Sequence, residues 1–179
     1  MPITPFHYSV AYVLHRWRRE LSLPALIIGS FTPDLEVPFY LAINFAPGRL
    51  VLHSIIGTIT LGTLIATLIT VYLYPILIPH LFKVDEKLVR EKCGFSPKLV
   101  LACMIGCLFH VLLDSLHHQY NPLLYPITYK SFDALVLFGN PALATRVVQP
   151  TAFSMSALFI LLELKRSSSG FWERVLVGS

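Results

Sequence analysis

The chain has 179 residues, 55% of them apolar and only 13% charged, and its mean hydropathy is +0.66. A soluble domain carries about 25% charged residues, so this composition excludes an ordinary water-soluble fold and predicts an integral membrane protein built as one domain, residues 1–179. The net charge of +4 comes without any basic run interleaved with aromatics, which excludes a nucleic-acid surface.

In chain order, Thr4-Pro5 reads as the N-cap and first-turn proline of a helix running to Arg19. Its apolar part, Phe6 to Leu14, is too short to cross a bilayer, which needs about 20 residues, so it predicts a half-span or interfacial helix. Its positive charges follow the apolar part, which is the wrong order for a signal peptide. The run from Pro24 to Ala46 is long enough to span but is interrupted at Thr32-Pro33-Asp34 and Pro38, predicting a broken helix with Asp34 turned inward. A turn at Pro47-Gly48-Arg49 leads to His53 and a Gly- and Thr-rich span from Ile55 to Phe82, kinked or ended by Pro75 and Pro79. Residues 83–98 read as a short charged loop. Residues 119–146 read as a loop, Val147 to Leu164 as a last span and 165–179 as a polar tail. The expected fold is therefore an all-α membrane bundle with about four spanning helices plus a short N-terminal half-span. Lys and Arg divide eleven to three between the two sides of such a bundle. That places the N-terminal basic cluster, the 83–98 loop and the C-terminus on the cytoplasmic side of the cell membrane.

The most informative stretch is Cys103 to His118. At 100° per residue, Cys103, Cys107, His110, Asp114 and His117 fall within roughly 80° of one another on a helix, with His118 beside them. At about 1.5 Å per residue, His110, Asp34 and His7 all lie roughly 14–18 Å from the cytoplasmic edge, with Asp114 and His53 higher. Imidazole and carboxylate together suit a divalent cation, which also offsets buried acids. His7, Asp34, His53, His110 and Asp114 are thus candidate metal ligands, for zinc first and for manganese or iron otherwise. His117 and His118 are candidate general acids. Metal-activated water makes hydrolysis the expected chemistry. Other readings stay open. Cys103 and Cys107 are packing residues or zinc thiolates, Glu36 supports a ligand or faces away, and His15 and His80 are solvated or interfacial. The polar stripe would equally line a divalent-metal or proton transporter, or form an ion-pair network in a non-catalytic scaffold.

The segments MPITPFH, Gly29-Ser30-Phe31-Thr32-Pro33-Asp34, His53-Ser54 and His110-x-x-x-Asp114 come in an order and spacing that resembles a family of inner-membrane-associated, metal-dependent hydrolases, described as LexA-binding in one bacterial member. The resemblance covers about the first 125 residues. It implies a hydrolase whose metal is held by His7, Asp34, His53, His110 and Asp114. A more distant similarity, to zinc-dependent phospholipase C, implies phosphoester substrates in lipids or lipid-linked molecules, with membrane lipids as the surrounding partners.

Overall fold

The computed structural model describes residues 7–45 and 48–179, and among these the secondary structure is entirely helical. The expected Thr4-Pro5 cap and the Pro47 position of the expected turn lie outside the described residues. Helix α1 spans Tyr8–Trp17 and α2 spans Leu23–Phe31. A 3-10 turn, Thr32–Leu35, joins α2 to α3 (Glu36–Ala42). The long α4 is Ile55–Phe82. It is followed by α5 (Glu86–Lys92), α6 (Pro97–Ser115), α7 (Pro141–Arg166) and α8 (Phe171–Leu176).

Local chemistry sets several of the starts. Ser96 Oγ accepts from Leu99 N–H with Pro97 as the first residue of α6, and Asn140 Oδ1 accepts from Ala142 and Leu143 N–H with Pro141 opening α7. A short polar cap followed by proline satisfies N–H groups that have no partner inside the helix. Within α4, the turns widen at Thr58–Gly62 and again at Ile69–Leu73. The second widening directly precedes Tyr74-Pro75, where the proline ring would crowd the carbonyl four residues back, and a wider turn relieves that. The helix therefore continues past Pro75 and Pro79 to Phe82. Several threonines of α4 bond their own helix: the hydroxyls of Thr60, Thr67 and Thr70 donate to carbonyls four residues earlier.

Among the described residues, three helices, α4, α6 and α7, are long and apolar enough to cross a membrane. The expected fourth, residues 24–46, is divided into α2 and α3 at Thr32-Pro33, so neither piece reaches spanning length. A broad apolar belt faces outward on these helices, for example Leu64, Leu68 and Tyr72 on α4 and Leu158, Leu161 and Leu162 on α7. In water such a surface would be costly; against lipid it is the expected face.

The core joins α1, α2, α4, α6 and α8. Its tightest contact is the crossing of α2 and α6. A Cβ on Gly29 would lie 2.3 Å from the Cys103 carbonyl oxygen, and one on Gly106 would lie 2.5 Å from that of Leu26. Only glycine lets the two backbones approach so closely. Two sequence expectations change at the end of the bundle near residues 83–96. That segment contains a helix, α5, capped by Asp85. The tail is not a free polar extension, because α8 folds back so that Val175 and Val177 are buried, Tyr8 and Tyr74 hydroxyls donate to Val175 and Leu176 carbonyls, and Glu163 meets Arg174 and Tyr12.

Candidate metal centre

The centre lies at the other end of the bundle, where α1 and α4 begin and α6 ends. Each side chain is delivered by a different local feature. Asp34 sits in the 3-10 turn that proline imposes after α2. Glu36 opens α3, and its carboxylate accepts from Leu50 and Leu52 N–H, both at 2.8 Å, tying down the segment that carries Arg49 and His53. His110 and Asp114 lie one turn apart on α6.

Asp34, His53, His110 and Asp114 converge so that one ligand atom from each lies within 4.8 Å of all the others. His53 Nε2 stands 3.6 Å from both Asp34 Oδ1 and Asp114 Oδ2. His110 Nε2 stands 3.5 Å from Asp34 Oδ1 and 3.4 Å from Asp114 Oδ2. Neither Nε2 atom has a hydrogen-bond partner, although both are buried. Two ligands each about 2.0–2.1 Å from a tetrahedral zinc stand about 3.3–3.4 Å apart, so these spacings fit a shared cation better than a set of direct hydrogen bonds.

The far side of each ring is also arranged for ligation. His53 Nδ1 donates to Glu36 Oε1 at 2.6 Å, and His110 Nδ1 donates to the Ser30 carbonyl at 2.6 Å. A proton held on Nδ1 leaves the Nε2 lone pair of a neutral imidazole facing the centre, the outer support typical of metal-bound histidine. Glu36 therefore supports His53 rather than facing away. Burial would raise its carboxyl, but the hydrogen bond and charge of His53 and the two backbone N–H groups hold it below the ordinary value. Burial would likewise lower His53, but Asp114, Asp34 and Glu36 raise it to about 10, so a cation binding at Nε2 would displace a proton that the carboxylates otherwise hold there.

His7 flanks this group rather than joining the four. Its ring stacks on His110 with centroids 4.0 Å apart, and Nε2 is 3.2 Å from Asp114 Oδ1. Helix α6 ends at Ser115, short of the expected helical stripe, so His117 and His118 lie in the following turn. With Asp114 they form a second set of ligand atoms within 4.8 Å of one another. His117 Nδ1 donates to the Leu113 carbonyl at 3.0 Å, and the Nε2 atoms of both residues are buried without a hydrogen-bond partner. Burial lowers both imidazoles, His118 to about 3, so both are neutral in the resting protein. Cys103 and Cys107 share the stripe but join neither ligand group; they pack below the centre, beside Thr70 and Gly62. His15, expected to be solvated, is instead buried between the Leu21 and Gly178 carbonyls.

Sequence reading missed Arg49. Its Nη1 donates to Asp114 Oδ2 at 2.7 Å while the residue is 6% exposed. The only local signal was a cation four residues before His53 in a chain with few charges. With both imidazoles neutral, as metal ligation would make them, the three carboxylates and one guanidinium leave two negative charges in a buried site, which one divalent cation would balance.

A family model described as a domain of unknown function, DUF4184, matches residues 1–128. The chain belongs to this DUF4184 family. The matched region holds Asp34, Glu36, Arg49, His53 and the 110–118 stretch, so the whole centre falls within the DUF4184 unit, while α7 and α8 lie beyond it. No curated protein and no solved structure matches the chain.

Proposed function

We propose that this DUF4184 protein is a membrane-embedded, metal-dependent hydrolase acting on a phosphoester of a lipid or lipid-linked substrate. The observation that carries the reading is the group of Asp34, His53, His110 and Asp114, with ligand spacings of 3.4–3.6 Å and both Nε2 atoms left without hydrogen bonds. A bound zinc ion, or manganese or iron in its place, would lower the pKa of water and polarise the bond under attack. Glu36 and the Ser30 carbonyl fix the two imidazoles. Arg49 holds Asp114 and adds positive charge beside the reacting group. His117, neutral and next to Asp114 with its Nε2 free, takes a proton from the attacking water as its oxygen bonds to phosphorus. It returns that proton to the leaving oxygen as the other phosphorus–oxygen bond breaks. The excess of Lys and Arg at the 83–96 end supports an orientation with that end in the cytoplasm and the centre toward the outer face of the cell membrane.

A transporter would need polar groups continuing through the bundle. Below His110, however, the inner face of α6 is Cys107, Cys103, Ala102 and Leu99, all buried in the apolar core, which favours a site over a path. The test is metal content and turnover of the full chain in detergent, wild type beside His53→Ala and His110→Ala. About one equivalent of metal and phosphoester hydrolysis in the wild type, both lost in the variants, is expected. Wild-type protein that stays metal-free after reconstitution, or variants that keep full turnover, would overturn the assignment.

A further inference from the structure

A cavity of about 510 Å³ opens beside the centre, between α3, the turn at 117–120 and the first two turns of α7. Arg49, His117, His118 and Arg146 all line it. Three of the nitrogens on these residues, Arg49 Nη2, His117 Nε2 and His118 Nε2, are buried and lack hydrogen-bond partners. Leaving a buried guanidinium nitrogen without an acceptor is costly, so the arrangement has a use for one. Arg49 spans the two regions: its Nη1 is on Asp114, and the residue also lines the cavity.

We infer that this cavity is an anion subsite that receives the phosphoryl group. Arg49 supplies a fixed, buried donor, and Arg146, one turn into α7, supplies a second, exposed one. Guanidinium groups match phosphate oxygens in geometry as well as charge. The imidazoles of His117 and His118 accept from a phosphoryl hydroxyl or from the water beside it. The start of α7, held by the Asn140 cap and by the Thr145 hydroxyl donating to the His117 carbonyl, brings the positive end of a 26-residue helix to the same wall. Asp114 is the opposing charge, and it is already paired with Arg49. His117, His118 and Asp114 are also competent to hold a second cation, but two arginines on the same cavity favour an anion. The wall also carries Val37 and the outward-facing Leu41, so either a lipid phosphate or a soluble phosphate ester has access.

The inference rests on the hydrolase reading, and the experiment separates the two. Zinc content and inorganic phosphate binding are measured on the full chain in phosphatidylcholine nanodiscs, wild type beside Arg146→Gln. Arg146 is exposed, so the variant is expected to fold and to keep its zinc. Losing one charged hydrogen bond should weaken phosphate binding about tenfold or more. Adding phosphatidic acid to the nanodiscs raises the apparent phosphate Kd if the natural occupant is a lipid phosphate, and leaves it unchanged if it is a soluble ester. With zinc bound, absent phosphate binding or equal affinity in the two proteins would overturn the subsite while leaving the metal centre standing. So would a second zinc equivalent that depends on His117 and His118 and excludes phosphate. If no zinc binds, the metal reading fails by itself. The same titration then still decides the subsite: Arg146-dependent phosphate binding upholds it and none overturns it.

Discussion

At the scale of single residues, the candidate centre depends on what stands behind its imidazoles. Glu36 makes three contacts with one carboxylate: it holds His53 Nδ1 and the N–H groups of Leu50 and Leu52. Glu36→Gln keeps the shape but has one acceptor oxygen where the carboxylate has two, so it loses one of the two backbone contacts as well as the charge that fixes the His53 proton on Nδ1. Outer supports of this kind typically change metal affinity by about 10- to 100-fold, and a loss of that size is expected in a chelator competition. The melting temperature in metal-free buffer is the control. A large fall there with unchanged metal affinity would make Glu36 a purely structural residue. The sequence brought Asp34, His53, His110 and Asp114 forward because buried acids and histidines are conspicuous in apolar runs. Arg49 carried no such signal, since it lies in a turn where a cation is ordinary. Its role comes entirely from a contact 65 positions away.

At the scale of elements, the apolar runs located three of the four expected spans, and their ends less well. Ile55–Phe82 matches the expected span, because a long run of apolar residues admits few alternatives. The end of α6 was not legible: the helical pattern continues to His118, but bonds from residues outside the helix compete. The Thr145 hydroxyl takes the His117 carbonyl, Asn121 Nδ2 donates to the His118 carbonyl, and Leu137 N–H donates to that of Leu116. These partners turn the chain and aim both histidines at the cavity. The α2–α6 crossing sets the height of His110 against Ser30, so it should control the centre as well as stability. In Gly106→Ala the new Cβ meets backbone atoms of Leu26, Ser30 and Gly29, which cannot rotate away. Overpacking of this kind costs about 1–3 kcal/mol. Thermal unfolding in detergent should show that loss, accompanied by weaker metal binding through the strained His110–Ser30 bond. A variant with wild-type melting and wild-type affinity would show that the two helices separate freely.

At the scale of the whole molecule, the two ends of the bundle are built differently. One carries the centre and its cavity; the other is closed by α5 and α8, which composition alone presented as a charged loop and a polar tail. His15 is a buried titratable group at that closure. It donates from Nδ1 to the Leu21 carbonyl at 2.8 Å and faces the Gly178 carbonyl at 3.3 Å. A Cβ at Gly178 would lie 2.4 Å from His15 Nε2, so only glycine allows this approach. Burial, with the charges of Arg19 and Lys92 added, pulls His15 below its ordinary value against the pull of the two carbonyls. An undocked imidazole therefore takes up a proton at about 6.5 while the docked one resists. The undocked state binds more protons in that window, so docking is fully favoured above about pH 6.5 and weakens as pH falls toward the lowered value. Arg19 and Lys92 stay charged throughout, and ordinary carboxylates, including any freed from the Glu163–Arg174 pair, remain ionised at pH 5.5. Hydrogen exchange of residues 171–178, corrected for the intrinsic pH dependence of the rate, should thus show less protection at pH 5.5 than at pH 7.5. His15→Gln, which cannot titrate, should flatten that difference. Equal protection at both pH values in the wild type would mean that the docked tail does not sense the His15 proton.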